Sequence, residues 1–208
     1  MNRVELKEWS KEKISGKLLE IWKGILLAAL AMLVLGFGAG IVQLIFGEKS
    51  TIADIVSIVV EIISIPISIG LTSFIMQFVR KDEFDKNLIF DYYGDFMKVA
   101  ATIILSGIII ALGCVCFIIP GIYLAFSYTL VPYLLAERKD LSMTETLRLS
   151  RKMMNGHKLD YFILGLSFIG WSLLVPFTFG LILIWLAPYM TIATTKFCTD
   201  IIDNYEED

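Results

Sequence analysis

The chain has 208 residues, of which 57% are hydrophobic, with a net charge of −3 and a mean hydropathy of +0.74. Soluble domains sit nearer roughly 45–50% apolar residues, so the excess excludes an ordinary water-soluble globule and calls for a second solvent. Three cysteines exclude a disulfide framework: Cys114 and Cys116 share no depth with a histidine and, with Cys198, are expected as small buried apolar side chains rather than metal ligands.

Residues 1–23 form a charged segment with Arg3, Lys7, Lys11, Lys13, Lys17 and Lys23, and lack the short apolar core and cleavage site of a signal peptide. The first predicted span is 24–46. Its GFGAG places Gly36 and Gly40 four apart, which suits close helix contact and is expected to pack within the chain. The second span, 53–79, carries Asp54, Ser57, Glu61, Ser64, Ser68 and Thr72 at steps of three or four, the spacing of one helix face. A polar group left in hydrocarbon costs several kcal/mol, so this stripe is predicted to face the bundle interior. Glu61, with Ser57, Ser64, Ser68 and Gln43, is the candidate intramembrane polar site; Thr102, Ser106, Ser127, Tyr128 and Ser167 are its candidate neighbours. Two roles stay open for it: handling a proton, cation or polar ligand, or packing as an interhelical hydrogen-bond network.

The 80–97 segment contains FDKNLIFDYYGDFMK, whose aromatics suit a membrane interface. Spans 98–118 and 121–137 meet at IIPGIY, and spans 160–178 and 180–199 meet at VPFTFG, so both pairs read as tight hairpins. The second helix of each pair carries a proline, Pro66, Pro132 or Pro188, which suggests three hairpins (24–79, 98–137 and 160–199) of one type.

Between the last two hairpins, 138–159 reads as an amphipathic interfacial helix. Ser142 and Glu145 have capping-box spacing, and Gly156 suits the residue past a helix end. Met143, Leu147, Leu149, Met153 and Met154 fall on one arc and Arg148, Arg151 and Lys152 on the other. Arg148, Arg151, Lys152, His157 and Lys158 are therefore the candidate lipid headgroup contacts. His157, the single histidine, is expected as a headgroup-facing cap residue rather than a catalytic base.

Of the 18 lysines and arginines, seventeen lie in the N-terminal segment, between the hairpins or at Lys196, and Lys49 alone lies on the other side. That bias predicts a multi-pass protein with both termini cytoplasmic. An acidic tail, 200–208, ends the chain.

RVELKEW, LIFDYYGDF, IIPGIYLAFSYTLVPYLLAE and LRLSRKMMNGHKLDYFILGLSFIGW together resemble an uncharacterised bacterial family of small six-span integral membrane proteins. That family is distantly similar to the membrane region of glycerophosphodiester phosphodiesterases. The resemblance covers nearly the whole chain and implies a fold and a bacterial cell-membrane location. It brings no catalytic residues, and the relatives' soluble phosphodiesterase domain has no counterpart in this sequence.

The expected fold is all-α: one integral membrane domain of six transmembrane helices, as three hairpins with cytoplasmic interfacial helices. No nucleophile–base set, metal cluster or phosphate loop is legible, so no enzyme, cofactor or metal is expected. Nucleic acid is not expected either, because the basic residues face the membrane. The function read from the sequence is a non-enzymatic membrane or envelope factor acting on membrane lipids or membrane-active peptides, in immunity, resistance or export. A peptide or an ATP-binding cassette transporter component is the further partner. The alternative is a small transporter or channel with its polar site around Glu61. The sequence leaves the oligomeric state open.

Overall fold

In hydrocarbon every backbone N–H and C=O must be satisfied within its own segment, which makes helices of the long apolar runs. The computed structural model describes residues 3–47 and 50–205. Among these are nine α-helices and no strand: α1 (Arg3–Ile14), α2 (Leu18–Phe46), α3 (Thr51–Lys81), α4 (Phe96–Cys116), α5 (Ile118–Ser127), α6 (Val131–Glu137), α7 (Met143–Met153), α8 (Lys158–Ser172) and α9 (Leu183–Asp203).

Four segments are long and apolar enough to cross a membrane: Leu18–Phe46, Thr51–Lys81, Phe96–Cys116 and Ile118–Glu137. That is four rather than the expected six. The third hairpin falls short for two reasons. α8 has 15 residues, a helix of about 22 Å against a hydrocarbon core of about 30 Å, and 173–182 then continues as turns rather than a tight VPFTFG corner. α9 carries Thr191, Thr194, Thr195, Lys196, Thr199 and Asp200, and ten of its 21 residues are buried in protein.

The first two hairpins form as expected. α2 and α3 run antiparallel, and Gly47, at φ +86°, closes the end of α2 by donating its N–H to the Gln43 carbonyl (2.9 Å). α4 and α5 are joined by the single extended residue Phe117, not at Pro120–Gly121. Pro120 lies in the first turn of α5, where its missing N–H costs nothing. Gly121 is the contact point with α4: a Cβ there would lie 2.8 Å from the Cys114 backbone. Cys114 and Cys116 are exposed on the apolar surface of α4, against expectation, and only Cys198 is buried.

The core lies toward the end of the bundle where α3 finishes. Ile67, Phe74, Ile75 and Phe78 of α3 pack with Ile21 and Ala28 of α2, Leu164 and Phe168 of α8, and Leu186, Tyr189 and Ile192 of α9. The opposite half is bare. Leu44 (87% exposed), Val115, Phe117 and Ile119 all face outward, far more apolar surface than a soluble monomer leaves in water.

Two more segments pack at the basic end. The N-terminal segment contains α1, which docks on α8 and α9: Lys7 Nζ donates to the Ser167 carbonyl (3.1 Å) and stands 4.7 Å from the Phe168 ring centre. The 80–97 segment, whose aromatics suit a membrane interface, packs in part against the protein. Ile89 and Tyr92 are buried, and the Tyr92 hydroxyl donates to the Ala136 carbonyl (2.6 Å).

Candidate functional site

α7 starts where its sequence predicts. Ser142 caps it by accepting from the Glu145 N–H, and the Glu145 carboxylate accepts the Ser142 N–H (2.9 Å). The Ser142 hydroxyl holds the Glu145 carboxyl below its usual range. The chain turns away at Gly156, φ +91°. The buried side of α7 (Thr146, Leu147, Ser150 and Met153) lies on protein, and the buried Ser150 hydroxyl donates to the Ser127 carbonyl (2.9 Å) at the end of α5. Leu147 and Met153 of the apolar arc thus dock on the bundle, Met143 and Leu149 are half-buried, and Arg148, Arg151 and Lys152 stay exposed.

The docked helix creates a cleft of about 850 Å3 between α4, α5 and α7. Arg148, Arg151, Lys152 and Lys158 line it, with Asn155 beside them and no carboxylate among the described residues of its walls. Across from the cations stand Leu105 and Ile109 of α4, next to the exposed Ile108 and Leu112. Lys158 Nζ lies 3.3 Å from the centre of the Tyr123 ring, and Lys152 Nζ lies 5.4 Å from that of Tyr205. The result is amphipathic: a rim of guanidinium and ammonium groups over a wall of aliphatic side chains on α4. Arginine presents a planar fork that matches phosphate or carboxylate oxygens two at a time, and lysine adds a point charge.

Four of the five predicted headgroup residues meet in this cleft. The fifth, His157, is exposed beside it at the start of α8, where its carbonyl accepts from the Tyr161 N–H (3.0 Å). Tyr123, Leu105 and Ile109 were not among the predicted site residues; nothing local in the sequence marks them as neighbours of 148–158.

Residues 56–204 match the family model described as "Protein of unknown function (DUF975)". The chain belongs to this family. No curated protein and no solved structure matches it, and the expected similarity to glycerophosphodiester phosphodiesterases finds no support. The DUF975 match takes in the whole basic cleft and most of α3, and leaves α1 and α2 outside.

The second predicted site, on α3, is only partly assembled. Gln43 Nε2 donates to Ser57 Oγ (3.2 Å), the one bond in the stripe that crosses between helices among the described residues. The stripe's other hydroxyls bond their own helix: Ser57 to the Ala53 carbonyl, Ser64 to Val60, Ser68 to Ile65 and Thr72 to Ser68. Such back-bonding removes the cost of a hydroxyl in an apolar helix without any neighbour. Thr102, Ser106, Ser127 and Ser167 do the same within α4, α5 and α8. Glu61 is exposed, contrary to the inward orientation expected, and Asp54 is exposed too. Neither side-chain carboxyl has a hydrogen-bond or ion-pair partner among the described residues. The cause is a change of neighbours along α3: its second half, from Pro66, is buried by several elements, whereas its first half is only partly covered, by α2 and, near its middle, by Tyr93, whose hydroxyl donates to the Ile63 carbonyl (2.9 Å). Gly36 and Gly40 also depart from expectation, since a Cβ added at either would meet nothing within 4 Å.

Proposed function

We propose that this DUF975 protein is a multi-pass bacterial membrane protein, without enzymatic activity of its own, that binds anionic phospholipid headgroups in the cleft between α4, α5 and α7. The observation that carries this reading is the juxtaposition of four cations, with no carboxylate among the described lining residues, over the aliphatic wall that α4 supplies. A phosphate-bearing lipid meets both at once: its headgroup with Arg148, Arg151, Lys152 and Lys158, its acyl chain with Leu105, Ile109 and the apolar surface beyond them. In the same reading the basic end and both termini face the cytoplasm, whose leaflet carries the anionic lipid. α8 and α9 dip into the bilayer as a shorter third hairpin, a view supported by the exposed Phe177, Phe179 and Leu181 at its turn. The role is that of a membrane factor acting through lipid, in the setting of envelope maintenance or resistance. Transport through Glu61 is the weaker reading, because Glu61 does not line the cleft.

Replacing Arg148, Arg151 and Lys152 together with Gln tests it. Each charge near an anionic surface contributes about 1 kcal/mol, or roughly fivefold in affinity, so native mass spectrometry from mixed-lipid nanodiscs should show acidic phospholipid lost from the variant and zwitterionic lipid unchanged. Equal retention of acidic lipid by both proteins overturns the reading.

A further inference from the structure

α2 is the least covered of the four spans. In its most apolar 18-residue window only 6% of residues are buried, against 39% for Ile118–Glu137. One bare side of the α2–α3 hairpin is not simply apolar. The bond from Gln43 to Ser57 fixes which faces of the two antiparallel helices adjoin there. One turn along α3 from Ser57 is Glu61, and one and two turns along α2 from Gln43 are Gly40 and Gly36. Because the helices run in opposite directions, Glu61 stands level with the glycines. Its depth is about 12 Å along α3 from residue 53, within the bilayer of a 31-residue spanning helix.

This face holds a donor and an acceptor without matching partners. Gln43 is exposed and spends one N–H on Ser57, leaving a second N–H from the same amide. Glu61 is exposed, with carboxyl oxygens that accept nothing among the described residues. Leaving either in hydrocarbon costs several kcal/mol. A two-fold contact is self-complementary, so a donor and an acceptor one turn apart on one face each find the other on a second copy. Glycine at the same level lets two backbones come close enough for those side chains to reach. A second copy needs no group that this face lacks.

We infer that the side of the α2–α3 hairpin bearing Gly36, Gly40, Gln43 and Glu61 is a homodimer interface inside the membrane, closed by reciprocal hydrogen bonds between Gln43 of one copy and Glu61 of the other. The interface is separate from the lipid cleft and does not depend on it.

The test uses the full chain in liposomes at high lipid excess, with subunit number read by single-molecule photobleaching. The wild type is expected as a dimer. Glu61→Gln retains a carbonyl acceptor and should dimerise; Glu61→Leu and Gly40→Leu should each weaken dimerisation at least tenfold. Gly40→Leu places its side chain in space that is open in the monomer, so it keeps the test valid if Glu61→Leu fails to fold. In a chain whose three native cysteines are replaced by serine, Gly40→Cys should form an intermolecular disulfide on mild oxidation, and Leu112→Cys, on α4, should not. A monomer at every lipid dilution overturns the inference. So do dimers that are indifferent to both leucine variants, or that cross-link through position 112 instead of 40, including dimers bridged by lipid alone.

Discussion

At the scale of single residues, the tightest constraints fall on glycines whose role no sequence periodicity marks. A Cβ at Gly70 would stand 2.2 Å from the carbonyl oxygen of Ile89, a backbone atom with no side-chain freedom to yield. Overpacking of that kind costs about 1–3 kcal/mol or more. Gly70→Ala should therefore unfold at a clearly lower temperature in detergent, while Gly165→Ala, with open space around its Cβ, should be neutral or slightly stabilising as a helix-interior alanine. Equal melting temperatures for the two variants would contradict the packing. The same contrast explains what the sequence could and could not say about Glu61. Spacing shows that Ser57, Glu61 and Ser64 share a face, and they do. It cannot show which face a neighbour will cover, since that is set by residues far along the chain.

Among elements, α7 was legible and α1 was not, for a physical reason. The start of α7 is written locally, in Ser142, Glu145 and the arc of Leu147 and Met153. α1 is fastened by distant partners instead: Lys7 at Ser167, Lys11 above the Tyr189 ring, and Lys13 on Asp82 at 2.8 Å, with Lys17, just ahead of α2, on the same carboxylate at 2.6 Å. Bonding to Lys13 and then Lys17 holds the Asp82 carboxyl below its usual range. A carboxyl whose value is lower folded than unfolded stabilises fully above the ordinary carboxylate range and loses that contribution as pH falls through the lowered value. Deuterium uptake by residues 3–14 should thus be slow at neutral pH and, after correction for intrinsic exchange, faster near pH 3. Asp82→Asn should be fast at both. A variant that stays protected at neutral pH would show that the aromatic contacts hold α1 unaided.

For the whole molecule, hydropathy alone identified the two long hairpins and overcounted the third. A window over 160–178 or 180–199 registers apolar residues but not the end of α8 at Ser172, nor the burial of α9 in protein. The charge bias leads to a direct check of orientation. Lys49, the one basic residue assigned to the far side, lies outside the described residues, whereas Arg151 is exposed on α7. In a cysteine-free chain, an impermeant thiol reagent added to intact cells should label a cysteine at 49 and spare one at 151. Labelling at 151 would reverse the orientation.

The connection between α4 and α5 bears on how the two helices can move. With Phe117 alone between them and Gly121 set against Cys114, the corner has no slack, so a shift of one helix at this end must carry the other with it. Lengthening this corner with a flexible insert would let the two helices part, so the corner's brevity is a constraint on motion as much as on the finished fold.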